Sequence, residues 1–559
     1  MQVVICSLNS QYIHSSLAPW CLRAGVVQYG DPALQVSVIE GTVNQDPVHV
    51  AAQIIAPKPA LVGFCCYIWN ITHVRELAGL VKQALPQVKI ALGGPEVGYC
   101  ANMVLQENPC VDFVLTGEGE RSFALLCNTV LHQQPPMVAG VTYRQREQTV
   151  ALPPEPLTEE PPSPYCDEYF SGLQGRITYL ETSRGCPYAC AYCLSARCGK
   201  LKFIPIERAK RELLLLANSG TKTVKLVDRT FNAHRNRAKE LWRFIIDNYG
   251  SAIPSGVCFH FEIAGDLLDE ESIAIIRSAP IGSMQFEVGI QSFHEPTLAY
   301  IRRKTDLNKL THMVGQLLAC GNVHVHIDLI AGLPLEDYLT FQKSVNQAYR
   351  LGAHMLQLGF LKLIHGAPMR EDPCRYPCRF HVEPPYEVIE TPWLTEAQLK
   401  ELHLAEWAID RLYNSGRFSR SLQLVLEQTK QPPYDLFFAF GKWVESPTGA
   451  SLEKVAQAFY DFAQTLGVPA DQLRDAMVCD WLESVKGGKL PQFLQVPDSR
   501  LKAFRSALRK NPTTAPHPNL PRGTALLYRP LQGVFVDYDQ ANPVTGKFTL
   551  HYVPVESEE

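Results

Sequence analysis

The chain has 559 residues, too many for one hydrophobic core, and this length suggests about three to four domains. Its 46% hydrophobic and 19% charged residues are typical of a globular protein, and the net charge of −4 excludes a global basic field that would attract nucleic acid or acidic membranes. No apolar run has the length of a membrane span, and residues 1–8 lack the charged start of a secretory leader. We therefore expect no membrane partner, a cytoplasmic location and reduced cysteines.

Apolar strands alternate with helices over residues 1–130. The predicted helices cover residues 17–29 and 73–85, and the predicted strands cover residues 3–8, 34–39, 60–66, 89–94 and 111–116. This alternation predicts a doubly wound, Rossmann-like parallel α/β domain, which binds ligands beyond the carboxyl ends of its strands. A dinucleotide is not expected, because no G-x-G-x-x-G follows the first strand.

Residues 131–176 are predicted to connect two domains. Residues 138–144 and 148–152 have the pattern of a short β-hairpin, and the chain is then rich in proline and acidic residues as far as Pro164. Proline removes backbone donors and stiffens the chain. We therefore expect a semi-rigid spacer after the hairpin.

Three cysteines share one short segment with C-x3-C-x2-C spacing: Cys186, Cys190 and Cys193. They follow the β-prone residues 177–180, and Gly185 and Pro187 interrupt regular structure, so the thiolates are expected in a loop past the carboxyl end of a strand. Iron–sulfur clusters are normally held by four cysteines, and three would leave one iron of a [4Fe–4S] cluster open, as catalytic metal sites require. The alternative is a structural zinc knuckle or a set of buried cysteines, although the second C-x2-C pair typical of zinc sites is absent nearby.

This spacing, with the aromatic Tyr192 before the third cysteine, resembles the signature of the radical S-adenosylmethionine (SAM) enzymes. Cys198 lies outside that signature and is interpreted as a spectator rather than a fourth ligand. Five more β-prone segments follow, at residues 223–227, 258–262, 283–289, 323–330 and 355–360. Together with residues 177–180 they make six strands, for which the resemblance implies a partial (β/α)6 barrel over residues 177–370.

The resemblance also implies a SAM site at the carboxyl ends of the barrel strands. Residues 228–232, beginning with Asp228, would grip the amino group, and Arg303 would hold the methionyl carboxylate bidentately. The stretch from Asp328 to Glu336 forms a loop whose Gly332 would let adenine approach the backbone. The ribose and carboxylate would face the polar residues of an E-x-G-x-Q-S run: Glu287, Gln291 and Ser292. Capping or packing at the strand ends is the alternative for each polar residue.

The N-terminal domain resembles the cobalamin-binding domain that precedes the barrel in class B radical SAM enzymes. Three motifs carry the resemblance: N-x2-Y-x-H-S-S-L from Asn9, G-G-P-E from Gly93, and G-E-G-E from Gly117. The residues implied as cobalamin contacts are Asn9, His14, Tyr67, Gly93, Gly94, Glu96, Gly117 and Glu118.

The D-x-H-x-x-G element that supplies a lower-ligand histidine in many cobalamin proteins is absent, so base-off binding without a protein histidine is implied. His14 is the candidate if a histidine does bind cobalt, and hydrogen-bonded structure is the alternative. Tyr67 and Trp69 would pack against the corrin face or form plain core.

Residues 371–559 are predicted to form a mainly helical C-terminal domain. The region resembles an uncharacterised extension found behind some cobalamin-dependent radical SAM barrels, and the resemblance implies that it shapes the substrate pocket. Helices are expected over residues 395–426 and 451–466, and a strand over 533–540 with a turn at 542–546. Cys374 and Cys378, near His381, could form a second metal site, although spectator cysteines fit better because a fourth ligand is missing.

Together these observations predict a cytoplasmic cobalamin-dependent radical SAM enzyme with a [4Fe–4S] cluster, SAM and cobalamin as cofactors. The favoured reaction is methylation of an unactivated carbon of an unknown substrate, with electrons from an external donor of the flavodoxin or ferredoxin type. A radical cyclase, oxidase or rearrangement enzyme similar to the anaerobic magnesium-protoporphyrin cyclase is the first alternative. A non-catalytic cobalamin and iron–sulfur sensor is the second. The net acidity gives no support to a nucleic-acid substrate.

Overall fold

The computed structural model describes residues 1–146, 148–197, 199–444, 450–487, 489–510 and 523–555. Within them the chain divides into two compact units. The first unit comprises Met1–Ile263, Ala299–Lys304 and Leu361–Pro392. The second comprises Ala264–Leu298, Thr305–Phe360 and Trp393–Glu559, of which the described residues are discussed.

The N-terminal part of the first unit is built on a seven-stranded sheet. Its strands are β1 (Gln2–Asn9), β2 (Gln35–Thr42), β3 (Leu61–Cys65), β4 (Lys89–Gly93), β5 (Phe113–Leu115), β6 (Val141–Gln145) and β7 (Gln148–Ala151). The spatial order is β2-β1-β3-β4-β5-β6-β7, and β1 to β5 are parallel. The strand order changes side at β1: β2 lies on one side of β1, and β3, β4 and β5 follow on the other. Sheets of this kind bind ligands at such a switch point, here between β1 and β3.

Helices cover both faces of this sheet: α1 (Ala18–Tyr29), α2 (Pro47–Ile55), α3 (Ile71–Ala84), α4 (Ala101–Glu107) and α5 (Gly119–Leu131). One apolar core holds side chains of α2, α3 and α4, and the other holds side chains of α1 and α5. The inner strands are apolar almost without interruption because both of their faces are buried. The predicted doubly wound domain is confirmed, and α2, α4 and α5 are helices that the sequence pattern did not predict.

The predicted hairpin belongs to this sheet. β6 pairs antiparallel with β5, and β7 pairs with β6, so the hairpin extends the edge of the sheet. The domain boundary predicted at residue 130 therefore falls inside one continuous sheet. The predicted domain limits otherwise stay a prediction.

The three cysteines and the first barrel strands follow in the same unit. The elements are α6 (Asp167–Ser171), β8 (Thr178–Leu180), β9 (Ser183–Arg184), β10 (Lys202–Phe203), α7 (Ile206–Ala217), β11 (Thr223–Leu226), α8 (Arg235–Asn248) and β12 (Cys258–Ile263). β11 is parallel to β8 on one side and to β12 on the other. The first three predicted barrel strands are thus adjacent and parallel.

The remaining three barrel strands lie in the second unit. The elements along this stretch are α9 (Glu270–Arg277), β13 (Met284–Gln291), α10 (Glu295–Tyr300), α11 (Leu307–Leu318), β14 (His324–Ala331), α12 (Tyr338–Arg350) and β15 (Met355–Phe360). β14 is parallel to both β13 and β15. Asp306 and Asp337 cap the first turns of α11 and α12 by accepting backbone N–H bonds. All six predicted barrel strands are therefore present, each followed by helix or loop.

Short elements and then helices complete the chain: α13 (Pro368–Glu371), β16 (Arg379–Phe380), β17 (Val388–Glu390), α14 (Glu396–Ala408), a π-helical turn (Ile409–Asn414), α15 (Ser419–Thr429), α16 (Pro433–Val444), α17 (Leu452–Thr465), α18 (Ala470–Ser484), α19 (Ser499–Lys510), β18 (Thr524–Tyr528), β19 (Leu531–Ala541) and β20 (Phe548–Pro554). The single helix predicted for residues 395–426 is instead α14, the π-helical turn and α15. The predicted turn at 542–546 joins β19 to β20, which pair antiparallel.

Among the helices of the described ranges, none combines the length and apolar character needed to cross a bilayer.

Candidate functional site

The cysteine loop begins where β8 ends, in the first unit. β9 pairs with β10, and the chain then turns at Gly185, whose φ of +91° lies in the left-handed region that favours glycine. Cys190 is 5% exposed, Cys186 and Cys193 are half-buried, and all three are free thiols. The thiols therefore lie just past the carboxyl end of a parallel strand.

Two distant segments fix the backbone of this loop. The Ala191 N–H donates to the Ile301 carbonyl at 2.8 Å, and the Ala191 carbonyl accepts from the Met369 N–H at 2.9 Å. Inside the loop, the Cys193 N–H donates to the Cys190 carbonyl at 3.1 Å. The middle of the loop is therefore held on both sides before any metal is considered.

Asp228, which follows β11, is 1% exposed and anchors the start of the loop. Its carboxylate accepts from the Thr182 N–H at 2.9 Å, from Thr182 Oγ1 at 2.7 Å and from Ser183 Oγ at 2.5 Å. Burial raises the pKa of Asp228, and the hydrogen bonds from Ser183 and Thr182 oppose that rise. The side chain thus holds the segment before Cys186, and SAM binding by residues 228–232 stays a prediction.

Arg303 brings a positive charge to the loop. Its Nη1 lies 4.0 Å from Cys190 Sγ and 3.5 Å from Tyr192 Oη. Burial raises the pKa of the Cys190 thiol, and the Arg303 guanidinium opposes that rise. A guanidinium at this place can meet an incoming carboxylate, so the structure is compatible with the predicted role of Arg303.

The implied cobalamin residues lie around the carboxyl edge of the N-terminal sheet. Asn9, the last residue of β1, is 6% exposed; its Nδ2 donates to Glu40 Oε2 at 3.1 Å, and its Oδ1 accepts from Ser16 Oγ at 2.6 Å. Gly94 follows β4 with a φ of +121°, and a Cβ there would lie 2.4 Å from the Cys66 carbonyl oxygen. Only glycine fits this position, which lets the edge stay open.

An aromatic pair follows β3 at the same edge. The rings of Tyr67 and Trp69 are stacked with centroids 4.4 Å apart and planes 5° apart. Trp69 is 47% exposed although its Nε1 donates to the Leu8 carbonyl at 3.2 Å. An exposed indole face fixed at a ligand-binding edge suits a flat macrocycle, whereas plain core packing would have buried it.

His14 contacts the first barrel strand. Its Nδ1 lies 2.7 Å from Tyr179 Oη, and its backbone forms a parallel bridge with Ile177. Burial lowers the pKa of His14, and the positive charges of Lys225 and Arg176 lower it further. The contact favours the hydrogen-bonded alternative for His14, and ligation of cobalt stays a prediction.

The two carboxylates implied as cobalamin contacts are held by protein groups. Glu96 is 5% exposed and accepts a hydrogen bond from the Tyr386 hydroxyl. Glu118 accepts from Arg184 Nη1 at 3.2 Å, from Lys202 Nζ at 3.0 Å and from the Leu157 N–H at 2.7 Å. Any contribution of these two carboxylates to cobalamin binding would thus compete with strong protein partners.

In the second unit, three polar side chains converge from neighbouring strands. Ligand-type atoms of Glu287 on β13 and of His326 and Asp328 on β14 all lie within 4.8 Å of one another. The shortest contact joins His326 Nε2 to Asp328 Oδ1 at 2.9 Å. The structure therefore brings together two predicted SAM residues, Glu287 and Asp328, with a histidine that sequence reasoning did not single out.

Gln291, the last residue of β13, has a φ of +73° and lies at a shift of strand register. A positive φ at a non-glycine residue stores strain and is common at binding sites. The next residue, Ser292, is buried and donates from Oγ to Glu336 Oε1 at 2.8 Å. Ser344 Oγ donates to the same oxygen at 2.7 Å.

Glu336 is 1% exposed, and burial raises its pKa to about 7. It lies four residues after Gly332, the predicted adenine-side glycine, whose φ is +91°. The loop after β14 thus has both the conformational freedom that was predicted and a buried acid that was not.

Three family models match the chain. The model described as "B12 binding domain" matches residues 8–126, and the "Radical SAM superfamily" model matches residues 180–348. The two matches follow one another in the same order as the N-terminal sheet and the cysteine loop. The chain is a class B radical SAM enzyme. A third model, "Protein of unknown function (DUF4080)", matches residues 374–518 of this enzyme.

Curated relatives agree with this assignment, and solved structures share the fold. The enzyme is 26% identical over 473 residues to "Cobalamin-dependent radical SAM methyltransferase TokK" of Streptomyces tokunonensis, covering 77% of this chain and 69% of the relative. It is also 26% identical over 458 residues to "2-(S-pantetheinyl)-carbapenam-3-carboxylate methyltransferase" of Streptantibioticus cattleyicolor, covering 74% and 66%. Among solved structures, the radical enzyme OxsB with aqua-cobalamin and SAM bound has a TM-score of 0.59 at 14% identity, over 86% of this chain and 78% of that one.

The cofactors of this enzyme are cobalamin, a [4Fe–4S] cluster and SAM. The cysteine loop fits a cluster better than a single zinc ion. Tetrahedral zinc would bring its sulfur ligands to about 3.8 Å from one another, given Zn–S bonds of about 2.3 Å. The three loop sulfurs do not form a group within 4.8 Å. Cys198, interpreted above as a spectator, lies outside the described residues.

Sequence reasoning missed the residues that fix the predicted site residues in place by hydrogen bonds. Asp228 was found but its partners Thr182 and Ser183 were not. Glu336, which accepts from Ser292, and Ser344, which donates to the same Glu336 oxygen, were not singled out. Only the position of Glu336 after a glycine-containing strand end could have drawn attention to it. The alternative metal site at Cys374 and Cys378 receives no support, because within the described ranges these cysteines and His381 form no compact ligand group, and Cys374 is exposed.

Proposed function

We propose that this enzyme methylates an unactivated carbon of its substrate. The observation that carries the proposal is a loop with three thiols and no fourth cysteine ligand among the described residues, in the same unit as the cobalamin-binding sheet. Support comes from the relatives matched over about three quarters of the chain, whose names describe methyltransferases.

The protein's own residues bind, orient and shield. Cys186, Cys190 and Cys193 would hold the cluster, and three thiolates would leave the fourth iron open for SAM. Arg303, beside Cys190, would receive the SAM carboxylate. When bound, the cofactors supply the radical and methyl chemistry.

The same reasoning extends to partners and location. A cluster that must be reduced in each turnover needs an external one-electron donor, which we propose to be a flavodoxin or ferredoxin. We place the enzyme in the cytoplasm, because free thiols and an oxygen-sensitive cluster need a reducing compartment. The substrate class stays open.

The test is an anaerobic assay of the purified enzyme, reconstituted with iron, sulfide and hydroxocobalamin and supplied with dithionite and SAM. We expect two products from SAM, 5′-deoxyadenosine from reductive cleavage and S-adenosylhomocysteine from methyl donation. A cyclase or oxidase would give 5′-deoxyadenosine without S-adenosylhomocysteine, and a sensor would give neither.

Two cysteine variants provide the matched comparison. Cys190→Ala removes a buried loop thiol. It should abolish essentially all of the cluster absorbance at roughly 400 nm, because three thiolates are the minimum for this site. Cys374→Ala removes an exposed thiol and should leave iron content and both products unchanged. Equal losses in the two variants would contradict the assignment of the loop.

A further inference from the structure

Arg184 lies in β9, two residues before Cys186, and its guanidinium contacts three carboxylates. Nη2 lies 2.5 Å from Glu120 Oε1 and 2.8 Å from Glu181 Oε2, and Nη1 lies 3.2 Å from Glu118 Oε1. Nε donates to Glu181 Oε2 at 2.9 Å. All three guanidinium nitrogens are therefore used, and the side chain is only 18% exposed.

These carboxylates come from two different parts of the enzyme. Glu181 belongs to the segment that leads into the cysteine loop. Glu118 and Glu120 flank Gly119 at the start of α5, directly after the carboxyl end of β5 where Gly117 was implied as a cobalamin contact. One guanidinium thus bonds the approach to the iron–sulfur loop to the corrin-side edge of the N-terminal sheet.

A second cation completes the arrangement. Lys202 lies opposite Arg184 in the β9–β10 pair, and its Nζ contacts Glu118 Oε2 at 3.0 Å and the Leu157 carbonyl at 2.9 Å. Glu118 therefore bonds to Arg184 through one oxygen and to Lys202 through the other. The chain between the two domains, at Leu157, joins the same cluster of charges.

We propose that Arg184 is a positioning residue that fixes the iron–sulfur loop relative to the corrin-side edge. A structural change in the loop should therefore alter the edge, and a change at the edge should alter the loop. Three half-buried carboxylates would repel one another without the guanidinium, and the two segments would separate. Lysine cannot replace it, because an ammonium is a compact point charge while the planar guanidinium presents five donors in a fixed fork. The inference rests on the proposed corrin-and-cluster enzyme but not on methyl transfer.

The test is amide hydrogen exchange of the full chain, comparing Arg184→Lys, Glu120→Gln and a control. In Arg184→Lys we expect about tenfold faster exchange both at residues 117–122 and at 186–193, because the charge-assisted hydrogen bonds that join Glu118 and Glu120 to the strand leading into the cysteine loop are lost. In Glu120→Gln we expect faster exchange at 186–193, far from the substitution in sequence, because the coupling is reciprocal.

Arg208→Lys is the matched control. Arg208 on α7 is 11% exposed, and its guanidinium bonds to Glu160 at 2.7 Å, to Glu212 at 2.8 Å and to the Pro161 carbonyl, none of which belongs to either segment. Its variant should change exchange near α7 and leave residues 117–122 and 186–193 unchanged. A response of Arg184→Lys confined to one segment, or no response of the cysteine loop to Glu120→Gln, would overturn the proposal.

A second readout uses the reconstituted enzyme. Cob(II)alamin and the reduced cluster both carry unpaired electrons, so their magnetic coupling reports the separation of the two cofactors. In Arg184→Lys we expect a weaker magnetic coupling, or a broader distribution of couplings, at unchanged iron and cobalt content. In Arg208→Lys we expect the wild-type coupling. A wild-type sample that binds neither metal would refute the proposed function, while the exchange experiment would still decide the role of Arg184.

Discussion

Two regions of this enzyme carry predicted cofactor residues past the carboxyl ends of parallel strands, and they are stabilised differently. The cysteine loop after β8 is held by backbone bonds from distant segments, by the Asp228 carboxylate and by arginines. On β13, on β14 and in the loop after β14, polar side chains contact one another: Ser292 and Ser344 donate to Glu336, and His326 Nε2 lies 2.9 Å from Asp328 Oδ1.

The difference has a chemical reason. Thiolates that bind iron must keep their own lone pairs for the metal, so the surrounding protein supplies the structure through other groups. Side chains that meet a substrate-like molecule through hydrogen bonds can bond to one another and still be oriented. We therefore expect substitutions around the loop to affect metal content, and substitutions around Glu336 to affect pH dependence.

The largest effect is expected for Asp228→Asn. The amide places an NH2 group among three donors and leaves at least one of them without an acceptor, at a cost of about 3 kcal/mol in the free energy of unfolding. Because the donors precede Cys186, iron content after reconstitution should fall as well. Urea unfolding and iron analysis measure both effects.

Asp306→Asn serves as the comparison for that variant. Asp306 accepts from the Lys309 N–H at 3.0 Å as the N-cap of α11, a position where asparagine serves about as well as aspartate. Its stability and iron content should stay near those of the wild type. A loss of stability in Asp228→Asn with full iron content would break the link between this carboxylate and the loop.

The next effect concerns pH. The pKa of Glu336 is about 7 in the folded protein, raised by burial above its ordinary value of 4.5. The folded state therefore keeps a proton that the unfolded state loses, and stability falls as pH rises from about 4.5 to 7, by about 3 kcal/mol in total. Glu336→Gln should remove this fall, so its advantage over the wild type should grow toward pH 8 in urea unfolding. Parallel stability curves for the two proteins would show that burial does not control this carboxyl.

The smallest effect is expected for Ser344→Ala. The Ser344 hydroxyl donates to Glu336, which lowers the pKa of that carboxyl and so opposes the effect of burial. Removing the hydroxyl should move the pH-dependent loss of stability to higher pH. It should also lower the free energy of unfolding by about 1 kcal/mol near pH 8, where Glu336 is ionised. Below pH 5 the same variant should be closer to the wild type, and a larger cost there would contradict the expected protonation.

The sequence predicted what is local along the chain. The spacing of the three cysteines, the alternation of β1 to β5 with helices and the six barrel strands each depend on residues close together, and the structure has them. It did not predict that β6 and β7 join the N-terminal sheet, because a hairpin pattern contains no information about its outer neighbour. The break between α14 and α15 was missed although Gly416, whose φ is +66°, is the kind of residue that ends a helix.

The ion-pair and hydrogen-bond partners of the site residues could not be predicted from the sequence either. Glu118 was assigned to cobalamin from its motif, yet its nearest cations, Arg184 and Lys202, are 66 and 84 positions away in the sequence. Ser292 and Glu336 are separated by 44 positions. Charge and hydroxyl pairs at such distances leave no periodic signal, so only the folded chain reveals which carboxylates are already bound.

The hydrogen bonds of Ala191 have a consequence for biosynthesis. Its N–H is bonded to Ile301 and its carbonyl to Met369, and both of these residues leave the ribosome well after the three cysteines. The nascent thiols consequently wait in an unfinished loop until translation has passed Met369. We therefore expect iron–sulfur insertion to follow the synthesis of Met369, and chains terminated before Met369 should retain less iron than the full chain.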